Sequence, residues 1–163
     1  MRKLKIYLDT SVISYLDQQD APEKMAETQR LWKDLEKGTY EVYLSQVTLD
    51  EIGACREPKR LKLYEYLAHI HYTMIEPSAE IIRLADKIVE MGILKKKSID
   101  DCQHIASAMV GGCDCVVSWN FKHLVNYRTI KGIRVISAME NYGSIDILSP
   151  SSMLGGEEDD TVS

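Results

Sequence analysis

The chain has 163 residues, of which 45% are apolar and 28% are charged, and these values are ordinary for one globular domain. No apolar run approaches the roughly 18 residues of a membrane span, and the first apolar stretch ends at Asp9, too early for a signal peptide. We therefore expect a cytoplasmic protein with no membrane partner, whose four cysteines are reduced thiols.

The net charge of −5 is concentrated in the C-terminal sequence GGEEDDTVS, which contains four acidic residues and leaves the rest of the chain at −1. A nearly neutral body neither requires nor excludes an anionic substrate. Because the tail has little apolar content, we expect it to be disordered. The predicted organisation is one domain over residues 1–152, followed by an acidic tail over 153–163.

Several short runs rich in Val, Ile and Tyr have the nearly continuous apolar character of strands that are covered on both faces. They are KIYL at 5–8, EVYL at 41–44, YTMI at 72–75, CVVSW at 115–119 and IRVIS at 133–137, with IDIL at 145–148 as a further short edge strand.

Helical patterns lie between these runs. The first runs from Pro22 to Lys37 and stops at Gly38, with Leu31, Trp32 and Leu35 facing inward. The second is capped by Ser78, closes at Gly92 and buries Ile81, Ile82, Ala85, Ile88 and Val89. The third runs from near Ser98 to Met109. Strands that alternate with helices predict an α/β domain with a parallel sheet.

Four oxygen-bearing side chains map to one edge of this predicted sheet. Asp9 ends the first strand and Asn120 ends the fourth, while Glu51 and Asp101 lie early in helices that follow strands. In a parallel α/β sheet these positions share the carboxyl edge of the strands. Asp114 precedes the fourth strand, maps to the opposite edge and is excluded.

Three carboxylates brought close together repel one another unless a pKa rises or a cation lies between them. Ligands that are all oxygen suit Mg²⁺ or Mn²⁺, and such ions activate water and stabilise the leaving oxygen of a phosphodiester. The predicted site therefore has Asp9, Glu51 and Asp101 as metal ligands, with Asn120 assisting.

Each of these residues also has a simpler interpretation. Asp9 would cap the next helix, Asp101 would favour its helix dipole, and Glu51 and Asn120 would be a solvated helix residue and a turn residue. Their joint placement at one edge favours the metal site. Asp100 is an alternative to Asp101, although the helical register favours Asp101, and His104 is expected to support the site or pack beneath it.

Trp119, Lys122 and His123 follow the fourth strand and are candidates for contact with a nucleic acid by stacking and charge, as is Arg128. The alternative is a solvated loop. Lys95–Lys97 is by default a charged surface, but it lies beside Asp101.

These motifs together resemble the PIN-domain ribonucleases, and especially the VapC-like toxins of toxin–antitoxin pairs. The resemblance spans residues 4 to 150 and rests on IYLDTSVIS, Asp50–Glu51 after SQVTL, DDCQHIASAMVGGCDCVVSWNFKHL and IDILSP. It implies a three-layer α/β/α fold whose parallel five-stranded sheet has the order 3-2-1-4-5. It also implies RNA as substrate, a protein antitoxin as partner and a homodimer.

The resemblance also implies residue roles. Asp9, Glu51 and Asp101 resemble the family's three acidic ligands for Mg²⁺ or Mn²⁺, and Thr10 and Ser11 resemble the hydroxyl residues that brace the first Asp. Asn120 stands where many members have a fourth acid, which puts a tightly held second ion in doubt. The implied reaction is hydrolysis of RNA by a metal-activated water, leaving 5′-phosphate and 3′-hydroxyl ends.

Other functions are less consistent with these residues. A catalytically weak or inactive PIN-like module that binds RNA or protein is the main alternative, because the fourth acid is missing. A phosphatase of the haloacid-dehalogenase type would need an Asp at position 11, where Ser11 stands, and no phosphate-loop motif occurs.

Overall fold

The strands of the computed structural model, which describes residues 2–154, form one parallel sheet. They are β1 (Lys5–Leu8), β2 (Glu41–Ser45), β3 (Thr73–Ile75), β4 (Cys115–Val117) and β5 (Asp146–Leu148). Their order is β3-β2-β1-β4-β5, and every neighbouring pair is parallel. This order and the flanking helices confirm the predicted PIN-like α/β/α architecture.

Helices cover both faces of the sheet. They are α1 (Thr10–Ser14), α2 (Pro22–Glu36), α3 (Gln46–Gly53), α4 (Lys59–Ala68), α5 (Ala79–Glu90), α6 (Ile99–Val110) and α7 (Tyr127–Met139). In the central strand β1, Ile6 and Leu8 join the apolar cluster under α1, α2 and α4, whereas Tyr7 joins the cluster under α5, α6 and α7. The alternation of side chains along a strand thus explains the continuous apolar run of β1, since both of its faces are buried.

The predicted strand at 133–137 is wrong, because these residues lie within α7. Val and Ile favour strands, but Ile133 and Ile136 are buried at helical spacing while Val135 is 46% exposed. The side chain of Asn126 also caps the helix by accepting a hydrogen bond from the Thr129 N–H. The fifth strand is instead Asp146–Leu148, which had been predicted only as a further edge strand.

The predicted helix ends are confirmed at two glycines. Gly38 and Gly92 follow α2 and α5 with φ angles of +77° and +73°, in the left-handed region that glycine adopts without strain.

The predicted inward position of Ile82 is wrong, because its side chain is 57% exposed. The buried stripe of α5 passes instead through Ile81, Leu84, Ala85 and Ile88.

The packed structure extends slightly beyond the predicted domain end. Residues 150–154 are helical, and Leu154 is buried against the apolar cluster under α1, α2 and α4. Of the predicted tail, 155–163 lie outside the described residues. Within 2–154, no helix combines the length and apolar character needed to cross a membrane.

Candidate active site

Asp9 is the buried centre of the candidate site. It directly follows β1, and its side chain caps α1 by accepting a hydrogen bond from the Val12 N–H. The hydroxyls of Ser11 and Ser118 donate to its two carboxylate oxygens, each at 2.6 Å. Asp9 is 3% exposed, and desolvation raises its pKa although His104 and these hydrogen bonds act in the opposite direction.

Glu51 contacts Thr10, the residue that follows Asp9 in the chain. It occupies the second half of α3 rather than its beginning, and its Oε1 accepts hydrogen bonds from the Thr10 hydroxyl and from His104 Nε2, both at 2.7 Å. Burial alone would raise the pKa of Glu51, but these two donors outweigh it and hold the pKa below its usual value. A lowered pKa keeps Glu51 ionised at neutral pH.

A buried polar network supports Glu51 from below. His104 is 2% exposed, and its Nδ1 lies 2.6 Å from the hydroxyl of Tyr7, which in turn lies 2.7 Å from the hydroxyl of Ser45. Because a carboxylate only accepts, the contact with Glu51 requires His104 to donate from Nε2. This arrangement fixes both the ring of His104 and the carboxylate that it contacts.

Asp101 and Asn120 meet through His123. The Nδ1 of His123 lies 3.1 Å from Asp101 Oδ2, and the backbone N–H of His123 donates to Asn120 Oδ1 at 2.9 Å. Asn120 thereby stabilises the turn after β4, as its simpler interpretation predicted. Asp101 is 22% exposed at its side chain, whereas Asp100 is exposed.

Hydrogen bonds through Ser118 and His123 therefore link Asp9, Asn120 and Asp101, while Glu51 is bound to Thr10, the residue after Asp9. Ser118 links the two halves, because its hydroxyl donates to Asp9 and accepts from the backbone N–H of Asn120 at 2.9 Å. On the other side, Asp101 and His104 are three residues apart on α6 and so share a face of that helix. Asp114 lies at the opposite edge, where it pairs with Arg2 and accepts from the backbone of Lys5.

The donor set suits a hard divalent cation, although the carboxylates are not gathered around one point. Among residues 2–154, no group of three or more His, Cys, Asp and Glu side chains stands ready to hold a metal ion. Asp9 nevertheless is a buried carboxylate with a raised pKa and no Lys or Arg partner in this part of the chain. A divalent cation would supply the missing positive charge, since oxygen ligands are those that Mg²⁺ and Mn²⁺ prefer.

The predicted stacking role of Trp119 is not supported by its position. Trp119 is 5% exposed, and its indole N–H donates to the hydroxyl of Thr28 at 2.8 Å, so it packs in the core. Phe121, two residues later, is 46% exposed. The ammonium group of Lys24 lies 5.5 Å from the ring centroid of Trp119 and 5.4 Å from that of Phe121, within the range of a cation–π contact.

Sequence reasoning missed the residues that support the carboxylates. Ser118 and Tyr7 were not selected, and His104 was assigned only a general supporting or packing role. The signal was present, because both Tyr7 and His104 lie in otherwise apolar stretches that become buried. A polar group in such a stretch needs a hydrogen-bonding partner, which here is another polar group of the site.

Comparison with known proteins identifies the family. The model of the family described as PIN domain matches residues 6–122, which include all four predicted site residues. The chain belongs to the PIN domain family. A comparison with curated proteins found no match.

Two solved structures are among those similar to this chain. One is the crystal structure of VapBC2 from Rickettsia felis bound to a DNA fragment from its promoter, with 13% identity, a TM-score of 0.54, and coverage of 90% of this chain and 98% of that chain. The other is VapBC-5 from Mycobacterium tuberculosis, a member of the VapBC family of toxin–antitoxin systems, with 18% identity, a TM-score of 0.47, and coverage of 89% and 98%. At this identity, the first similarity supports the fold of the PIN domain and nothing finer.

Proposed function

We propose that this PIN domain is a ribonuclease that depends on Mg²⁺ or Mn²⁺ and hydrolyses RNA phosphodiester bonds. The observation that carries the proposal is a set of hydrogen bonds at the carboxyl edge of the sheet. They link Asp9, Asn120 and Asp101 through Ser118 and His123, and they hold Glu51 on Thr10, the residue after Asp9. Ligand sites of parallel α/β folds are found at this edge.

The residues of the chain have distinct roles in this proposal. Asp9, Glu51 and Asp101 would hold the metal ion, and the chemistry that a bound ion supplies is activation of water and stabilisation of the leaving oxygen. Ser11 orients Asp9 and Thr10 orients Glu51 through the hydrogen bonds described above. Asn120 would support substrate binding, because it fixes the turn that carries the candidate substrate-binding residues Lys122 and His123.

The first experiment is cleavage of a mixed RNA pool with Mg²⁺ or Mn²⁺, comparing the wild type with Asp9→Asn and Asp101→Asn. Each variant removes one charge with little change in shape, so metal-dependent cleavage should be lost in both. Asp100→Asn is the matched control because Asp100 is exposed on the same helix turn and should keep full activity. Equal losses for Asp100→Asn and Asp101→Asn would contradict the assignment.

A second candidate is a PIN-like module that binds RNA or protein without cleaving it. Two observations favour it: the oxygen of Asn120 is already used by the His123 N–H, and the described residues hold no preformed three-ligand group. Titration of the metal-free protein with Mn²⁺ by calorimetry separates the candidates. Binding that disappears in Asp9→Asn supports the nuclease, whereas no binding together with no cleavage supports the module.

We also propose that an antitoxin protein is a partner. The resemblance to VapC-like toxins supports this, as does a cavity of about 660 Å³ lined by residues of α2, α4 and the turn after α1, including Leu16, Gln29 and Tyr66. The product of a gene adjacent to the one that encodes this chain should form a complex with the chain and inhibit RNA cleavage. Loss of inhibition on mutation of Gln29 and Tyr66 would place the complex at this cavity.

A homodimer is proposed on the same resemblance. The exposed Ile82 lies at a cavity of about 400 Å³ whose other walls include Val47, Pro77 and Ile81, and this is an apolar surface of the kind that self-association buries. Sedimentation of the wild type and of Ile82→Glu tests the proposal. A dimeric wild type and a monomeric variant are the expected results.

A further inference from the structure

A cavity of about 360 Å³ is lined in part by His123, which contacts Asp101 of the candidate site. One wall comes from the segment between α5 and α6, residues 92–98. The other comes from residues 122–129, which include the end of the loop after β4 and the first residues of α7. Its volume is near the lower end of the roughly 300–1,000 Å³ range of small-ligand sites. The cavity therefore has room for a small unit of a ligand rather than for a folded element.

The lining of this cavity is cationic. Four of its side chains are Lys95, Lys97, Lys122 and Arg128, and none of its lining residues is Asp or Glu. None of the four has an ion-pair partner within residues 2–154, and the guanidinium of Arg128 donates to the backbone carbonyl of Gly92. Four uncompensated positive charges in a protein with a net charge of −5 would be stabilised by an anionic ligand.

The cavity and the candidate site share a wall. His123 lines the cavity, and its Nδ1 lies 3.1 Å from Asp101 and 3.4 Å from the hydroxyl of Ser98, another lining residue. A hydrogen bond holds this wall in position: the hydroxyl of Thr129, also a lining residue, donates to the backbone carbonyl of His123 at 2.6 Å. An anion in the cavity would therefore lie next to the carboxylate edge.

We infer that this basic cavity binds a backbone phosphate of single-stranded RNA next to the bond that is cleaved. The inference rests on the proposed function for the choice of ligand and deepens it, because it assigns the path of the strand beyond Asp101. Lysine ammonium groups bind phosphate as point charges, so the contact holds the strand without reading its sequence. The cavity determines where the RNA lies, and base contacts elsewhere would determine which RNA is preferred.

The test is RNA binding without cleavage, measured by fluorescence anisotropy of a labelled single-stranded RNA in EDTA. The variant carries Lys95→Gln, Lys97→Gln and Lys122→Gln, and it leaves His123 in place because that residue contacts Asp101. The matched control carries Lys3→Gln, Lys33→Gln and Lys37→Gln, which remove the same charge from exposed positions. Thermal unfolding of both variants confirms that they fold.

We expect the cavity variant to bind RNA at least tenfold more weakly than the control at about 0.1 M salt. The slope of log affinity against log salt should fall by about 0.7, because that is the contribution of one phosphate contact to a single strand. Equal affinity of the two variants would overturn the inference. A labelled polyglutamate peptide serves as a second probe. The assignment to RNA would be overturned if the peptide bound the wild type as tightly as RNA does and its affinity fell by the same factor in the cavity variant.

Failure of this inference is distinguishable from failure of the proposed function. If the wild type cleaves RNA with Mn²⁺ while the two triple variants bind equally, the nuclease stands and the cavity is not its phosphate site. If no metal supports cleavage but the cavity variant alone loses RNA binding, the cavity stands as the RNA site of a non-catalytic module.

Discussion

Replacing Ser118 by Ala should destabilise the protein more than an ordinary Ser→Ala change. Ser118 is fully buried, and its hydroxyl both donates to Asp9 and accepts from the backbone N–H of Asn120. A hydrogen bond to a charged group contributes about 1.5–3 kcal/mol and a neutral one about 0.5–1.5 kcal/mol to the free energy of unfolding. The expected loss is therefore about 3 kcal/mol, which at this chain length lowers the melting temperature by about 6–12 °C.

The same substitution at Ser137 is the matched control. Ser137 is buried in α7, and its hydroxyl has no hydrogen-bond partner among the described residues. Removing a buried hydroxyl that makes no hydrogen bond costs nothing and should leave the free energy of unfolding unchanged or raised by about 1 kcal/mol. Urea unfolding in EDTA, followed by circular dichroism, measures both variants under conditions where no metal contributes.

Equal stability changes in Ser118→Ala and Ser137→Ala would refute the reasoning, because the two sites would then not differ in hydrogen bonding. A loss confined to Ser118→Ala supports the contact set that joins Asp9 to the turn after β4. The same variant should then need more Mn²⁺ for half-maximal cleavage, since Asp9 loses the hydrogen bond that holds its Oδ2 and keeps only those to Oδ1.

Three further predictions concern single residues. Asp9→Asn should raise the melting temperature in EDTA, because a neutral amide avoids the cost of burying a carboxylate that has no Lys or Arg partner among residues 2–154, and a lower value would contradict this. Trp119→Phe should lose about 1 kcal/mol of stability with the hydrogen bond to Thr28 while RNA binding is unchanged, and weakened binding at unchanged stability would restore the stacking role. Arg83 holds the pKa of Glu80 at about 2, below the 4.5 of an ordinary Glu, so this pair stabilises the fold above about pH 4.5 and the contribution is lost as the pH falls toward 2. The free energy of unfolding in urea should therefore be lower for Glu80→Gln than for the wild type at neutral pH, and the two values should converge near pH 2. A difference that persists near pH 2 would show that the ionisation of Glu80 is not its source.

The error at 133–137 shows where local sequence fails. Ile133, Val135 and Ile136 have strand propensity, but propensity is a weak preference that tertiary packing overrides. The deciding features were the cap at Asn126 and the burial of Ile133 and Ile136 on one side of a helix. The predicted stacking role of Trp119 is not supported, for a similar reason. Nothing in the local sequence shows that its indole N–H donates to Thr28, 91 residues earlier in the chain.

The sequence by itself determined the strands that are central to the sheet, the sheet edge at which Asp9, Glu51, Asp101 and Asn120 meet, and the resemblance to the PIN family. It could do so because side-chain alternation, helix stops and the rule for parallel crossovers are local or topological properties. Only the tertiary structure decided how each carboxylate is supported. The partners Ser118, His104 and His123 come from distant segments, and whether a hydroxyl lies at 2.6 Å from a carboxylate depends on how those segments pack.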